Sequence, residues 1–152
     1  MSLPALAQTG AKATESPTRQ IEAVVEEFSS AIVNKDKKRF LKLFLHEKVM
    51  WQSVTGTERL MSLRKKRPQA ARLTIDPKNN PTTFIEEIVA DKQRSEERFS
   101  NLRIDTDGDI ASASFDFVFL LDEREINRGK ESWHLVNTDD GWKIVSVIWS
   151  NN

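Results

Sequence analysis

Residues 129–152 read GKESWHLVNTDDGWKIVSVIWSNN, and two runs of strand-forming residues in this stretch flank the pair Asp140-Gly141. An Asp-Gly pair between alternating runs is a strong short-range signal for a β-hairpin. Asp107-Gly108 separates RFSNLRI from IASASFDFVFLL in the same way, and a looser turn is expected from Asn127 to Gly129. The second half of the chain therefore predicts a meander of four antiparallel strands.

Alternation in the second of these strands separates an apolar face from a polar one. Successive side chains of a strand point to opposite faces, so the apolar positions are expected to line the interior. In the next strand Trp133 and Leu135 lie on one face, and Glu131 lies on the same face. If Trp133 points inward, Glu131 is therefore expected to point inward as well. The final strand, 142–149, is apolar in both registers, which favours a central strand covered on both sides. The apolar positions of the second strand are Ala111, Ala113, Phe115, Phe117, Phe119 and Leu121.

The first part of the chain has helical periodicity. Ser16 and Pro17 provide an N-cap and a first-turn proline, and apolar residues then recur at helical spacing as far as Asn34. Asp36 can cap a second, shorter helix. Two consecutive helices are therefore predicted before the first strand.

A strand-like run, VMWQSV, follows and ends near Thr55. Two more short helices are predicted after it, one around Leu60 and one with a capping box that begins at Thr83. Helices first and a meander second predict one α+β domain over residues 17–152, with the helices packed on one face of a curved sheet.

The composition argues against several classes of protein. Lys and Arg number 23 and Asp and Glu number 23, so there is no broad basic face to release counterions from nucleic acid. No apolar run approaches the roughly 18 residues of a membrane helix. His46 and His134 lack a ligand spacing and the chain has no cysteine, so neither a metal site nor a cofactor is predicted.

The N-terminal segment leaves two interpretations open. Ala5, Leu6, Ala7 and Gln8 have the small-x-small form of a signal-peptidase site, which predicts an export-signal remnant within residues 1–16 and a periplasmic or secreted protein. An alanine-rich disordered tail explains the same residues. A cytoplasmic protein fits that second interpretation.

The order of these elements, with the segments GKESWHLV, DDGWKI and SVIWS, resembles the nuclear-transport-factor-like superfamily, also called cystatin-like or SnoaL-type. The resemblance covers about residues 17–150. It implies a cone-shaped roll of N-terminal helices packed on a strongly bent, mainly antiparallel sheet, with a pocket at the wide mouth. It does not settle activity, because members include ketosteroid isomerases, scytalone dehydratase, limonene epoxide hydrolases, polyketide cyclases and non-catalytic binding domains.

Residue matching argues against ketosteroid-isomerase chemistry. The general-base aspartate of those enzymes corresponds to Ser53, and the chain contains no tyrosine to act as their oxyanion donor. Limonene epoxide hydrolases and scytalone dehydratase also use tyrosines. The resemblance therefore favours another use of the pocket.

Three functions remain open. The first is a binding domain for a small apolar ligand in an aromatic pocket. The second is an isomerase, dehydratase or cyclase that transfers protons on a small apolar carbonyl compound, with Glu131 as acid or base. The third is a dimeric protein-interaction module. The predicted pocket residues are Trp51, Ser53, Phe115, Phe117, Glu131, Trp133 and Trp149.

The environment of Glu131 should distinguish among these functions. An open, dry cavity would raise the pKa of this carboxyl group, whereas an arginine such as Arg94, Arg98 or Arg103 would lower it. The abundance of basic residues favours an arginine pair, and with it a structural role for Glu131.

A homodimer formed through the outer face of the sheet is also expected, because this is the common arrangement in the superfamily that the chain resembles. Val118 and Val136 interrupt the otherwise polar outer register, and the final strand is apolar on both sides. An obligate interface of this kind buries on the order of 2,000 Å² or more.

Overall fold

The computed structural model describes residues 14–152, and no helix within this range is long and apolar enough to cross a membrane. The predicted export-signal remnant around Ala5 to Gln8 lies outside the described residues. The elements confirm the α+β class. They are α1 (Pro17–Val33), α2 (Lys37–Leu41), β1 (Met50–Thr55), α3 (Thr57–Lys66), α4 (Pro81–Ala90), β2 (Ser95–Thr106), β3 (Ile110–Leu121), β4 (Arg124–Thr138) and β5 (Gly141–Asn151).

The five strands form one mixed sheet in the order β1-β5-β4-β3-β2. Strands β2 to β5 are consecutive antiparallel neighbours, which confirms the predicted meander, and β1 joins β5 in parallel. The apolar strand β5 therefore lies inside the sheet, between β1 and β4.

The two Asp-Gly turns are confirmed, and the third predicted turn is wrong. Gly108 and Gly141 have φ values of 98° and 93°, a backbone conformation that glycine adopts at little steric cost. The chain reverses between β3 and β4 at Asp122 and Glu123, which have φ values of 46° and 64°, while 127–129 lies within β4. The Asp122 carboxylate accepts a hydrogen bond from the Arg94 backbone N–H at 2.8 Å and ties the turn to β2.

The start of α4 also differs from the prediction. Its N-cap is Asn80, whose side chain accepts a hydrogen bond from the Thr83 backbone N–H at 3.0 Å. The Thr83 hydroxyl accepts the Asn80 backbone N–H at 3.2 Å in return. Thr83 is thus the third residue of the helix and not its cap, and Pro81 occupies the first turn, where its missing N–H costs nothing.

The core lies between the inner face of the sheet and α1. Trp133 is fully buried there, and its ring lies 4.8 Å from Phe28 of α1 and 5.0 Å from Phe115 of β3, measured between ring centroids. The predicted inward register of β3 holds from Ala111 to Phe117. A register shift after Phe119 then buries Leu120 in place of the predicted Leu121.

Candidate functional site

A cavity of about 340 Å³ is lined by residues of the sheet, α1, α4 and the loop that precedes α4. Four half-buried rings form what we call the aromatic wall. Adjacent ring centroids lie 5.1 Å apart for Trp51 and Trp149, 5.2 Å for Trp51 and Phe84, and 6.2 Å for Phe84 and Phe119. The aromatic wall is therefore continuous across residues from β1, β3, β5 and α4.

The lining of the cavity includes both buried and exposed residues. Phe28 and Phe117 are buried lining residues, and so are two carboxylic acids, Glu97 and Glu131. Asp76 and Glu87 are exposed residues of the lining. A ligand in the cavity would therefore be close to the two buried acids.

Glu97 and Glu131, the acid pair, come from the two strands that flank β3. Glu97 lies opposite Phe119 and Glu131 lies opposite Phe115, so their side chains meet diagonally across the strand between them. Only 6% of Glu97 and 3% of Glu131 is exposed, and the two carboxyl groups lie close enough for a hydrogen bond between them to shift the pKa of each. The indole N–H of Trp133 donates to Glu131 Oε1 at 2.6 Å.

Burial controls the protonation of the acid pair. Loss of hydration raises the pKa of Glu131 to about 7, against the opposing effect of the hydrogen bonds from Trp133 and Glu97. Burial also raises the pKa of Glu97 well above its usual range, and the neighbouring charge of Glu131 raises it further. The pair therefore retains at least one proton near neutral pH, which places a proton donor beside a proton acceptor.

Comparison with known proteins places this geometry in a known fold. No protein-family model matches the sequence, and no curated protein matches it. A protein of unknown function from Mycobacterium tuberculosis superposes with a TM-score of 0.62 at 15% identity, covering 89% of this chain and 71% of that one. An NTF2-like protein with a cystatin-like fold from Novosphingobium aromaticivorans superposes with a TM-score of 0.60 at 11% identity. This match covers 89% of this chain and 81% of that one.

The chain has the cystatin-like, or NTF2-like, fold. A structure from Streptomyces avermitilis, described provisionally as a dehydratase of the NTF2-like family, has a TM-score of 0.60 at 13% identity and covers 88% of this chain and 94% of that one. At such identities the similarity concerns the fold alone.

The cystatin-like roll places five of the seven predicted pocket residues in the cavity lining. Phe115 and Trp133 instead lie fully buried in the core, where they contact each other. Trp133 does not line the cavity, but its indole N–H donates a hydrogen bond to Glu131, which does. The five lining residues are Trp51, Ser53, Phe117, Glu131 and Trp149.

The prediction that an arginine pairs with Glu131 is wrong. Arg94 and Arg98 both bind Glu96, and these hydrogen bonds lower the pKa of Glu96 to about 2. All three are even-numbered residues of the β2 region and lie away from the core. Arg103 is exposed and pairs in register with the outer face of β3. Strand alternation thus separates these arginines from the buried acid.

Glu97, Phe84 and several amide side chains of the lining were not predicted from the sequence. Glu97 precedes Phe99 by two residues, so an inward Phe99 would have identified it. The Asn127 amide donates to the Asn151 side-chain oxygen across the sheet, and both residues line the cavity. Within residues 14–152, no group of three His, Asp or Glu side chains is arranged to hold a metal ion.

Proposed function

We propose that this protein binds a small molecule in the cavity, with the apolar body of the ligand against the aromatic wall and a polar group towards Glu97 and Glu131. The observation that carries the proposal is a cavity of about 340 Å³ that joins aromatic rings to a buried acid pair. This volume lies within the range of about 300–1,000 Å³ for small-molecule sites.

The packing around the cavity supports binding over a purely structural role for these aromatic residues. Phe115 and Trp133 are fully buried and fill the core, as ordinary packing residues do. The aromatic wall is only partly buried and borders the cavity. Protein interiors are close-packed, and few of their voids are larger than a water molecule. A void of this size beside two buried acids is thus better suited to a ligand than to packing.

Tryptophan fluorescence tests the proposal directly, because Trp51 and Trp149 line the cavity. We expect small aromatic compounds from a panel to change the emission saturably, with complexes of one ligand per chain in native mass spectrometry. Ser53→Phe should fill the cavity and abolish the change. Ser100→Phe, on an exposed position of β2, is the matched control and should bind as the parent does. Equal binding by the parent and Ser53→Phe would contradict the proposal.

The acid pair supports a second candidate function, proton transfer on a small carbonyl compound. A protonated and an ionised carboxyl group in contact provide the acid and the base that an isomerase, dehydratase or cyclase requires. Ser53 and the absence of tyrosine still argue against a ketosteroid-isomerase mechanism. A positioned acid or base typically contributes about 10²–10⁴-fold to the rate.

Deuterium exchange at carbon atoms next to a carbonyl group, followed by NMR over a panel of ketones, tests this second function. Catalysed exchange should be lost in Glu131→Gln and retained in Glu96→Gln, because Glu96 does not line the cavity. Exchange that survives in Glu131→Gln would exclude Glu131 as the acid or base.

The outer face of the sheet supports a homodimer as part of the proposed function. Met50 and Ile110 are each 61% exposed and Ile148 is 42% exposed, and all three lie on the outer register of their strands. Exposed apolar side chains on one face are typical of an interaction surface. A second copy of the chain is the partner that we propose for this face.

A further inference from the structure

The charge of the cavity lining is of one sign. Asp76 from the loop before α4, Glu87 from α4, Glu97 from β2 and Glu131 from β4 all line the cavity. Among the described residues of the lining, none is a lysine, an arginine or a histidine. Within residues 14–152, none of the four acids forms an ion pair, although eight ion pairs occur elsewhere in this range. The cavity therefore has acidic groups without an ion-pair partner among both its buried and its exposed lining residues.

The aromatic wall adds a second, independent preference for positive charge. The faces of tryptophan and phenylalanine rings attract cations, and the attraction is stronger when the cation is desolvated. Trp51 and Trp149 are both in the aromatic wall, within about 5.1 Å of each other. An ammonium group in the cavity would thus lie beside aromatic rings as well as carboxyl groups.

We infer that the ligand is a small organic amine in its protonated form, with its ammonium group at the acid pair and its apolar body against the aromatic wall. This inference rests on the proposed function, since it names the class of molecule that the same cavity binds. Anionic ligands are disfavoured, because nothing in the described lining carries a compensating positive charge.

Binding of an amine should be coupled to release of a proton from the acid pair. The titratable residues that face the cavity are the four acids, because α1, β1, β3 and β5 contribute only aromatic, amide and hydroxyl side chains to it. An ammonium group favours the ionised form of Glu131, whose pKa is about 7. If only that form binds, the affinity for the amine should rise about tenfold between pH 6 and pH 8.

Three probes with the same phenyl body and different charge test the inference: phenethylamine, phenethyl alcohol and phenylacetate. Titration calorimetry on the full chain should show phenethylamine binding about tenfold or more tightly than phenethyl alcohol near pH 7.5. Phenylacetate should bind most weakly. The affinity for phenethylamine should rise with pH as stated, and the affinity for the alcohol should not.

Two variants test whether the tighter binding of the amine than of the alcohol depends on the acids of the cavity. Glu131→Gln should remove most of the advantage of the amine over the alcohol and should flatten its dependence on pH. Glu87→Gln should weaken amine binding by about twofold to fivefold through the loss of a partly screened charge. Glu86→Gln is the matched control, because Glu86 is the neighbouring residue of α4, binds Lys37 and does not line the cavity.

The outcomes separate this inference from the proposed function. Binding of the alcohol as tightly as the amine, or tighter binding of phenylacetate, would overturn the amine inference and leave a binding cavity in place. Failure of all three probes to bind would also overturn it. The proposed function itself is decided by the wider panel and by Ser53→Phe.

Discussion

Replacement of Glu131 by glutamine changes the charge of the acid pair while it preserves the shape of the side chain. The glutamine oxygen can still accept the Trp133 indole hydrogen bond that Glu131 Oε1 accepts at 2.6 Å. The variant therefore isolates the effect of ionisation on the free energy of unfolding.

The expected magnitude follows from the pKa of Glu131. This pKa is raised from an ordinary value of 4.5 to about 7, and each pKa unit corresponds to about 1.4 kcal/mol. The pKa of Glu131 is higher in the folded state than in the unfolded state. The contribution of protonated Glu131 to the stability of the folded state is therefore fully present below pH 4.5 and is lost as the pH rises through about 7. The parent should thus lose about 3 kcal/mol of stability from this source by pH 8, and Glu131→Gln should lose none of it.

Urea unfolding of both proteins at several pH values between 5 and 8 measures this difference. Glu96→Gln is the control, because the pKa of Glu96 is lowered to about 2 and its contribution is lost only as the pH falls through that value. The control should therefore follow the pH dependence of the parent across this range. Parallel curves for the parent and Glu131→Gln would contradict the raised pKa of Glu131.

Three further predictions concern the core, the cavity and the outer face. Trp133→Ala should reduce the free energy of unfolding by about 3–5 kcal/mol, because the ring is fully buried. Trp142→Ala, beside a turn, should reduce it less. Equal urea midpoints for Trp133→Ala and the parent would contradict the packing of Trp133 in the core. Ser53→Phe should abolish ligand-dependent fluorescence changes, and retained changes would place the ligand elsewhere. Light scattering at micromolar concentration should show a dimer that Ile148→Asp dissociates, and a monomeric parent would contradict the proposed interface.

The order of elements and most of the inner face could be predicted from the sequence. Alternation in β3 and the two Asp-Gly turns reflect local backbone preferences, and such preferences can be read without tertiary structure. The turn at Asp122 and Glu123 could not be predicted in this way, because two charged residues adopt a left-handed conformation that a tertiary contact with Arg94 supports.

The acid pair depends on the register of the strands on either side of β3, and so only half of it could be predicted. The inward direction of Glu131 follows from its two-residue spacing to Trp133. Glu97 lies on β2, beyond the intervening strand β3, and its diagonal approach to Glu131 requires knowledge of the strand register. The abundance of arginine in the sequence then suggested a partner that the alternation of β2 places on the opposite face.

The protonation of the acid pair is the property on which the proposed ligand site most directly depends. A pH titration of the glutamate carboxyl carbons by ¹³C NMR, with Glu97→Gln and Glu131→Gln to assign the signals, should reveal one carboxyl group with a midpoint near 7 and a second whose pKa is also raised well above its ordinary value. The signal with a midpoint near 7 should be absent from Glu131→Gln. Titration of every glutamate at or below its ordinary value of 4.5 would contradict the buried acid pair and the ligand site built on it.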